Sequence, residues 1–305
     1  MAAYILRRLL VLIPLLWAVA TITFFLMHAV PGGPFQMDRA FPPDLLARMN
    51  DKYGLNDNIG TQYIHFLDNL VHGDLGVSFA TQQPVTQRIK DGFPATMQLG
   101  ISAFIFAIVV GLVLGVLSAV NQNGFFDYLG VFIATIGAAI PSFVVALLLI
   151  LLFSLKFHWF NVIGWQFGDY KSMTLPIVAL GLLPAAYIAR ITRASMLEVL
   201  RQDYIRTAQA KGLKPLQIIN RHALRNALVP VLTVAGPIFA GLITGSFIIE
   251  YTFAINGIGT AFVDAVELRD YGMIMGTVLL YAFAIAICNM LVDVSYGFVD
   301  PRIRY

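Results

Sequence analysis

The chain alternates between long apolar runs and shorter polar segments. A helix that crosses a bilayer needs about 20 mostly apolar residues to span roughly 30 Å of hydrocarbon. Several runs approach or exceed that length, and two of the polar segments between them are long enough to carry structure of their own. The pattern predicts an all-α integral membrane protein with six transmembrane helices. The predicted spans are residues 9–30, 96–120, 128–157, 173–189, 227–249 and 273–299.

The first apolar run follows Arg7 and Arg8, an arrangement that also occurs in secretory signal peptides. The apolar region of a signal peptide has about 7–15 residues. The run from Leu9 to Val30 is longer than that. We therefore expect an uncleaved first span whose N-terminus lies inside the cell.

Composition agrees with a bilayer as the solvent. Hydrophobic residues make up 58% of the chain and charged residues only 12%, whereas soluble domains carry roughly 25% charged residues. A net charge of +3 is too small to indicate a nucleic-acid partner. The single cysteine, Cys288, excludes an intrachain disulfide and a cysteine metal site.

The distribution of basic residues sets the expected orientation. With the N-terminus inside, segments 1–8, 121–127, 190–226 and 300–305 face the cytoplasm and hold most of the 20 lysines and arginines. Short cytoplasmic loops are enriched in these residues. Both termini are therefore expected in the cytoplasm, although segment 121–127 itself carries no basic residue.

The first outer loop, residues 31–95, is expected to form a small ordered subdomain. Asp44–Tyr53 follows two prolines and precedes a glycine, which favours a short helix. Ile59–Val71 places its apolar residues on one helical face, and Gly73–Gly76 forms a turn. The subdomain either caps the helix bundle or receives a partner.

The cytoplasmic loop 190–227 carries eight basic residues. Its spacing predicts one helix over Met196–Lys211, a break at Gly212 and a second helix over Leu216–Leu228. Small residues at the end of the first helix suit insertion into a groove of another protein. A basic amphipathic segment can equally lie on anionic lipid, and composition alone leaves both interpretations open.

Motifs for stand-alone catalysis are missing from the sequence. It contains no G-x-x-x-x-G-K-[ST] phosphate loop, no H-E-x-x-H zinc motif and no cysteine–histidine cluster. We therefore expect no catalytic residue, metal or cofactor on this chain. Asp293 lies well within the last span, where we expect a structural charge paired with Arg190 or Arg193.

Two stretches of the cytoplasmic loop carry a family resemblance. Tyr204–Leu213 and Arg221–Pro230 resemble the "EAA" loop of ABC importer permeases, in the form found in peptide and nickel permeases. Arg206, Thr207 and Ala208 stand at the E-A-A position, with arginine in place of the glutamate, and Gly212 is the loop's glycine. Further matching segments are 4–9, 52–57, 73–76, 78–79, 189–196 and 299–305, and those most similar to the oligopeptide branch are Phe35, 45–79 and 140–144.

The resemblance implies the type I ABC importer permease fold in a bacterial inner membrane. Its domains would be residues 1–95, the first span with the outer subdomain; residues 96–299, the importer transmembrane domain; and a tail, 300–305. The implied partners are a second homologous permease, two cytoplasmic ATPases that hold ATP and magnesium, an extracytoplasmic peptide-binding protein, and the peptide itself. Alternatives are a dipeptide or nickel permease, or a channel or membrane scaffold without an energy source.

The resemblance also assigns roles to residues. The helix before Gly212 would be the coupling helix that sits in an ATPase groove, and the outer subdomain would dock the binding protein. The implied coupling residues are Asp203, Arg206, Thr207, Ala208, Lys211, Gly212 and Leu213, and the implied docking residues are Asp44, Tyr63 and Asp74.

Overall fold

A computed structural model describes the backbone of residues 2–30, 33–34 and 43–299, and the side chains at 7–30, 33–34, 44–137 and 139–291. Phe35, the side chain of Asp293 and the tail 300–305 lie outside the described residues, so the expectations for them stay predictions. The α-helices are α1 (Ala2–Ala29), α2 (Pro43–Lys52), α3 (Ile59–Val71), α4 (Val85–Val120), α5 (Phe125–Ala139), α6 (Ser142–Leu149), α7 (Tyr170–Leu200), α8 (Asp203–Ala210), α9 (Pro215–Gln217), α10 (Leu224–Ile243), α11 (Phe247–Thr252), α12 (Ile258–Glu267) and α13 (Tyr271–Val299).

Two π-helical segments continue these helices. Residues Ile150–Lys156 extend α6, and Ile218–Ala223 join α9 to α10. Among the described residues, five helices are long and apolar enough to cross a membrane, or six if the bent pair α5–α6 is one span. The six-span prediction corresponds to the larger count.

The third span is not the continuous helix that the sequence indicates. It breaks between α5 and α6, whose axes differ by 106°. Ile140 adopts an extended conformation with φ −93° and ψ 126°. The ring of Pro141 disfavours the helical conformation at the preceding residue, and proline lacks the N–H that would continue the helix.

Two further elements depart from the sequence pattern. The predicted helix over Met196–Lys211 is interrupted after Leu200, because Gln202 is extended, with φ −72° and ψ 149°. The predicted fifth span ends at Ile243, since Gly245 adopts the left-handed region at φ +83° before α11 begins. Helix α12 has no counterpart among the predicted elements.

The chain divides into two compact units. The first comprises residues 1–94 and 256–287, and the second comprises residues 95–255 and 288–304. Both α4 and α13 contribute residues to each unit.

In the first unit, α3 packs along α1 through aromatic side chains. The Phe24 ring lies 5.3 Å from that of Tyr63 and 5.7 Å from that of Phe66, between centroids. Hydroxyls of Thr21 and Tyr63 are 2.7 Å apart and share a hydrogen bond. Helix α3 is therefore attached to the first span by specific side-chain contacts.

A buried carboxylate fixes the start of α13 in the same unit. Asp270 accepts hydrogen bonds from the Ser78 hydroxyl, from the backbone N–H groups of Phe79 and Ala80, and from the N–H of Met273. Asp270 and Ser78 are each only 2% exposed. These bonds satisfy a buried charge and tie the loop at 78–80 to the first turn of α13.

In the second unit, α7 begins with a side-chain cap. The N–H groups of Lys171 and Ser172 donate to the Asp169 carboxylate at 3.1 and 3.2 Å. The bond from Lys171, with the bonds from Ser172, lowers the pKa of Asp169 below its ordinary value.

Helices α4 and α7 approach closely where α4 carries Gly111 and Gly115. A Cβ atom on Gly115 would lie 2.5 Å from Thr192 Cβ and 2.7 Å from the Ala189 carbonyl oxygen. A Cβ atom on Gly111 would lie 2.7 Å from Ile188 Cβ. The small residues of this stretch therefore form a helix–helix contact, as membrane bundles commonly use them.

Replacing Gly115 with leucine should destabilise the second unit by about 3 kcal/mol, because a close-packed contact cannot admit a larger side chain. Thermal unfolding of the purified protein measures the loss. Gly241→Leu is the matched control, since a Cβ atom at that helical position meets nothing within 4 Å. Equal unfolding temperatures for the two variants would contradict the packing role of Gly115.

Candidate functional site

The candidate site is the loop between α7 and α10, within residues 190–227. Helix α7 ends at Leu200, and α8 starts at Asp203 after the extended Gln202. Helix α8 is short and has two unlike faces. Ile205 is fully buried and Ala208 is 6% exposed, whereas the remaining residues of α8 are exposed.

The buried face of α8 belongs to one hydrophobic cluster. Ile205 and Ala208 pack in it with residues from three of the long helices and from the π-helical segment Ile218–Ala223. Their buried partners are Ala119 of α4, Met196 of α7, Ile218 and Ala223 of the π-helix, and Ala227 of α10. The α8 helix is thus rigidly anchored to the ends of α4, α7 and α10.

The C-terminal end of α8 has the hydrogen bonds of a Schellman motif. The N–H of Gly212 donates to the Gln209 carbonyl at 2.9 Å, and that of Leu213 donates to the Ala208 carbonyl at 3.4 Å. Gly212 lies in the left-handed region at φ +75°. Only glycine, or occasionally asparagine, adopts that conformation readily, so the turn depends on this residue.

The exposed face of α8 carries mixed charge. Arg206 Nη1 lies 3.6 Å from Asp203 Oδ1, and both side chains are largely exposed. Such a surface pair contributes less than about 1 kcal/mol to stability. Lys211, Gly212 and Leu213 extend the exposed surface beyond the helix. The charged side chains of this surface therefore contribute little to the stability of the fold.

An ion pair holds the adjacent turn against α7. Arg193 donates two hydrogen bonds to Asp127, from Nε at 2.5 Å and from Nη2 at 2.7 Å. Asp127 also accepts the N–H of Asn123 at 2.9 Å. The Asp127 side chain is 4% exposed and that of Arg193 is 28% exposed. This bidentate pair joins the turn at 121–127 to α7, ten residues before α8 begins.

The structure places the expected site residues in different environments. Ala208 faces inward and anchors α8, so the small residues left on the exposed side are Thr207, Ala210 and Gly212. Arg193 pairs with Asp127, a partner that sequence reasoning missed. Arg190 is exposed. The pattern offered no signal for the Arg193 pair, because its two residues are 66 positions apart.

The three expected docking residues differ as well. Asp44 and Asp74 are exposed, and Asp74 Oδ1 accepts the N–H of Gly76 at 2.8 Å. Tyr63 is half-buried, with its ring against Phe24 and Phe25 of α1. Tyr63 therefore stabilises the subdomain, and the two carboxylates remain exposed.

Comparison with solved structures identifies the fold. Structures titled as inward-facing conformations of the MetNI methionine ABC transporter align with a TM-score of 0.59 and 22% identity, over 70% of this chain and 97% of theirs. A structure titled as an amino acid ABC transporter with histidines aligns with a TM-score of 0.54 and 16% identity, over 68% and 92%. The chain has the all-helical fold of a type I ABC importer permease.

Sequence comparison gives the family. Residues 1–100 match the N-terminal membrane component of binding-protein-dependent transport systems, and residues 111–305 match the inner membrane component of the same systems. The chain therefore belongs to the family of binding-protein-dependent transport system inner membrane components.

Curated relatives match over the full length. The oligopeptide transport system permease protein OppB of Escherichia coli K12 is 46% identical, and that of Haemophilus influenzae is 43% identical, over 100% of both chains in each case. The dipeptide transport system permease protein DppB of Bacillus subtilis is 43% identical over 100% of this chain and 98% of its own.

Proposed function

We propose that this chain is the permease subunit of an ATP-driven importer of peptides, and that oligopeptides are its substrates. The observation that carries the proposal is the full-length identity of 46% to an oligopeptide permease, across both family regions. The chain binds no ATP or metal of its own in this proposal. Within the described residues, no group of three or more histidine, cysteine or acidic side chains could hold a metal ion.

The proposed assembly contains three kinds of protein partner. A second homologous permease completes the translocation path, two cytoplasmic ATPases supply energy from ATP and magnesium, and an extracytoplasmic binding protein delivers the peptide. Both termini and loop 190–227 face the cytoplasm in this arrangement, in agreement with the excess of basic residues there.

Helix α8 is the proposed point of contact with an ATPase. Its exposed face is polar and includes the small residues Thr207 and Ala210, which suits a shallow groove, and its charges at Asp203, Arg206 and Lys211 set the orientation. Its buried face is packed against the ends of α4, α7 and α10. Because packed helices move as rigid elements, a displacement of α8 by the ATPase would move three long helices together.

Coupling then follows from linkage between the two sites. If ATP and peptide each bind better to one of two states of the transmembrane helices, each ligand shifts the population of the state that the other prefers. The anchored α8 is the element through which the ATPases bias that equilibrium.

A dipeptide importer is the second candidate. It is favoured by the identity of 43% to the dipeptide permease of Bacillus subtilis, close to the 46% found for the oligopeptide permease. The two functions differ in the length of peptide that supports uptake.

Uptake of labelled peptides tests the proposal. The complex reconstituted in liposomes, with ATP inside and loaded binding protein outside, should accumulate tri- to pentapeptides. Uptake restricted to dipeptides would select the second candidate. Passive uptake that is independent of ATP and of the ATPase subunits would overturn the proposal in favour of a channel.

The docking role of the outer subdomain is tested best by surface substitutions. A deletion of residues 44–71 would remove Tyr63 and Phe66, which pack on α1, and would confuse docking with folding. The double variant Asp44→Lys with Ile64→Arg changes two exposed residues instead. We expect the binding protein to stimulate ATPase activity with at least about tenfold weaker apparent affinity. A pair of like charges, or the loss of an apolar contact, should reduce the binding free energy by more than about 1.4 kcal/mol.

Tyr63→Phe serves as the control, since it removes only the hydroxyl that bonds Thr21. Unchanged titration of ATPase activity with binding protein in the double variant would contradict the docking role.

A further inference from the structure

The first unit contains an apolar groove of about 610 Å³. Its walls come from α1, α3, α4 and α13, and one lining position, Gly276, adds no side chain. Among its lining residues the polar side chains are Thr86 and Lys90, both near the start of α4. The apolar side chains that line it are Ile13, Leu16, Trp17, Leu67, Leu70, Val71, Leu75, Ile89, Leu279, Leu280 and Phe283.

The groove is elongated along the helices. Its lining on α13 runs from Gly276 to Phe283, which corresponds to about 10 Å at 1.5 Å per residue. Gly276 lies beside Ile89, the neighbour of Lys90, because a Cβ atom there would be 3.7 Å from Ile89 Cδ1. The Lys90 ammonium is therefore at the end of the groove marked by Gly276, and the other end of the groove, at Phe283, is apolar.

The position of Lys90 along α4 puts this cation at the membrane surface. Helix α4 has 36 residues and is about 54 Å long, well beyond the roughly 30 Å of the hydrocarbon core. Its stretch from Ala95 to Val120 carries no charge, whereas Arg88, Lys90 and Asp91 lie in its first turns. These first turns lie at the level of the head groups, and the groove descends from there.

The Lys90 ammonium is available to a ligand. Its side chain is exposed, and within residues 7–30, 33–34, 44–137 and 139–291 it forms no ion pair with an acidic side chain. Asp91, its neighbour, accepts a hydrogen bond from Gln87 at 2.8 Å. A lysine in this position binds phosphate as a point charge.

We infer that this groove binds one acyl chain of an anionic glycerophospholipid, with the lipid phosphate paired to Lys90. The apolar wall takes the hydrocarbon, the exposed cation takes the phosphate, and the two features are ordered along the groove as they are in the lipid. The lipid fills the space between α1 and α13 and so supports the packing of the outer subdomain. This inference does not depend on which solute the protein transports.

Native mass spectrometry of the complete complex tests the inference. The probes are dioleoyl phosphatidylglycerol, dioleoyl phosphatidylcholine and inorganic phosphate, each added to delipidated protein. We expect phosphatidylglycerol to bind in preference to phosphatidylcholine. Lys90→Gln should weaken phosphatidylglycerol binding about fivefold, which is the loss of roughly 1 kcal/mol for one cation at a membrane surface.

Two further variants sharpen the test. Leu280→Trp narrows the groove and should reduce binding of both lipids, whereas Lys156→Gln changes an exposed cation of the second unit and should leave binding unchanged. If Leu280→Trp fails to assemble, Lys90→Gln still tests the inference, because it changes only an exposed side chain.

Three results would overturn the inference. The first is equal phosphatidylglycerol binding by wild type and Lys90→Gln. The second is displacement of the lipid by inorganic phosphate, which would assign the cation to a free anion. The third is a cross-link from Phe283→Cys to the second permease subunit, which would mean that a helix of that partner fills the groove.

Discussion

Replacing Arg193 with alanine is expected to lower the free energy of unfolding by about 3–5 kcal/mol, the usual effect of removing one partner from a buried ion pair. Asp127 is 4% exposed and accepts two hydrogen bonds from this arginine, besides the one from the Asn123 N–H. Without Arg193 the carboxylate stays buried without a cation. Thermal unfolding of the purified complex measures the effect.

Two control variants distinguish loss of the Arg193–Asp127 ion pair from other causes of destabilisation. Arg201→Ala removes an exposed arginine from the same loop and should change the free energy of unfolding by less than about 0.5 kcal/mol. The double variant Asp127→Asn with Arg193→Met removes both charges. It should recover most of the lost free energy of unfolding, because two neutral side chains of similar volume leave no unpaired charge buried. Wild-type unfolding in Arg193→Ala would show that the pair contributes little.

Replacing Gly212 with valine is expected to uncouple ATP hydrolysis from uptake. Gly212 has φ +75°, and a side chain there faces open space, so the effect comes from the backbone conformation. A left-handed residue other than glycine costs roughly 1–2 kcal/mol, and more when it is β-branched. The turn after α8 would open, and uptake per ATP hydrolysed should fall about tenfold while ATPase activity persists.

Gly212→Asn is the matched control for the conformational cause. Asparagine tolerates the left-handed region, so this variant should retain most uptake although it adds a side chain at the same place. Parallel measurements of phosphate release and peptide accumulation give the number of peptides taken up per ATP hydrolysed. Normal uptake in Gly212→Val would show that the turn has no part in coupling.

Local signals explain which elements the sequence could predict. Helix α3 begins at Ile59 and ends at Val71, as its pattern indicates, because Asn58 caps the first turn and one face is apolar. The break at Gly212 is predictable because glycine readily adopts the left-handed conformation that terminates helices. The family resemblance is also visible in the sequence, because the motifs of loop 190–227 are contiguous in the chain.

Contacts between distant segments explain what the sequence missed. Nothing at Arg201 or Gln202 marks the end of α7, because neither residue is a glycine or a proline. The break is set by tertiary packing, which requires Ile205 to reach Met196 and Ala119. The partner of Arg193 and the three bonds from residues 78–80 to Asp270 likewise join residues far apart in the chain, which periodicity cannot detect.

Helix α12 shows a third limit. Its ten residues are too short for a span, and glycines at 257 and 259 favour a loop at its start. Ile258, Ala261 and Ala265 are nonetheless buried, and Ala261 and Ala265 pack in one cluster with Val85 and Met273. Short helices of this kind form because a neighbouring surface accepts their apolar face.

A photo-cross-link from the exposed face of α8 tests most directly whether this helix contacts an ATPase. A photoreactive amino acid replaces Arg206 in the complete complex, and a second preparation carries it at Ile64, an exposed position of the outer subdomain. We predict a cross-linked product between position 206 and an ATPase subunit, and none between position 64 and an ATPase subunit. Products from position 206 with lipid alone would contradict a coupling role for α8.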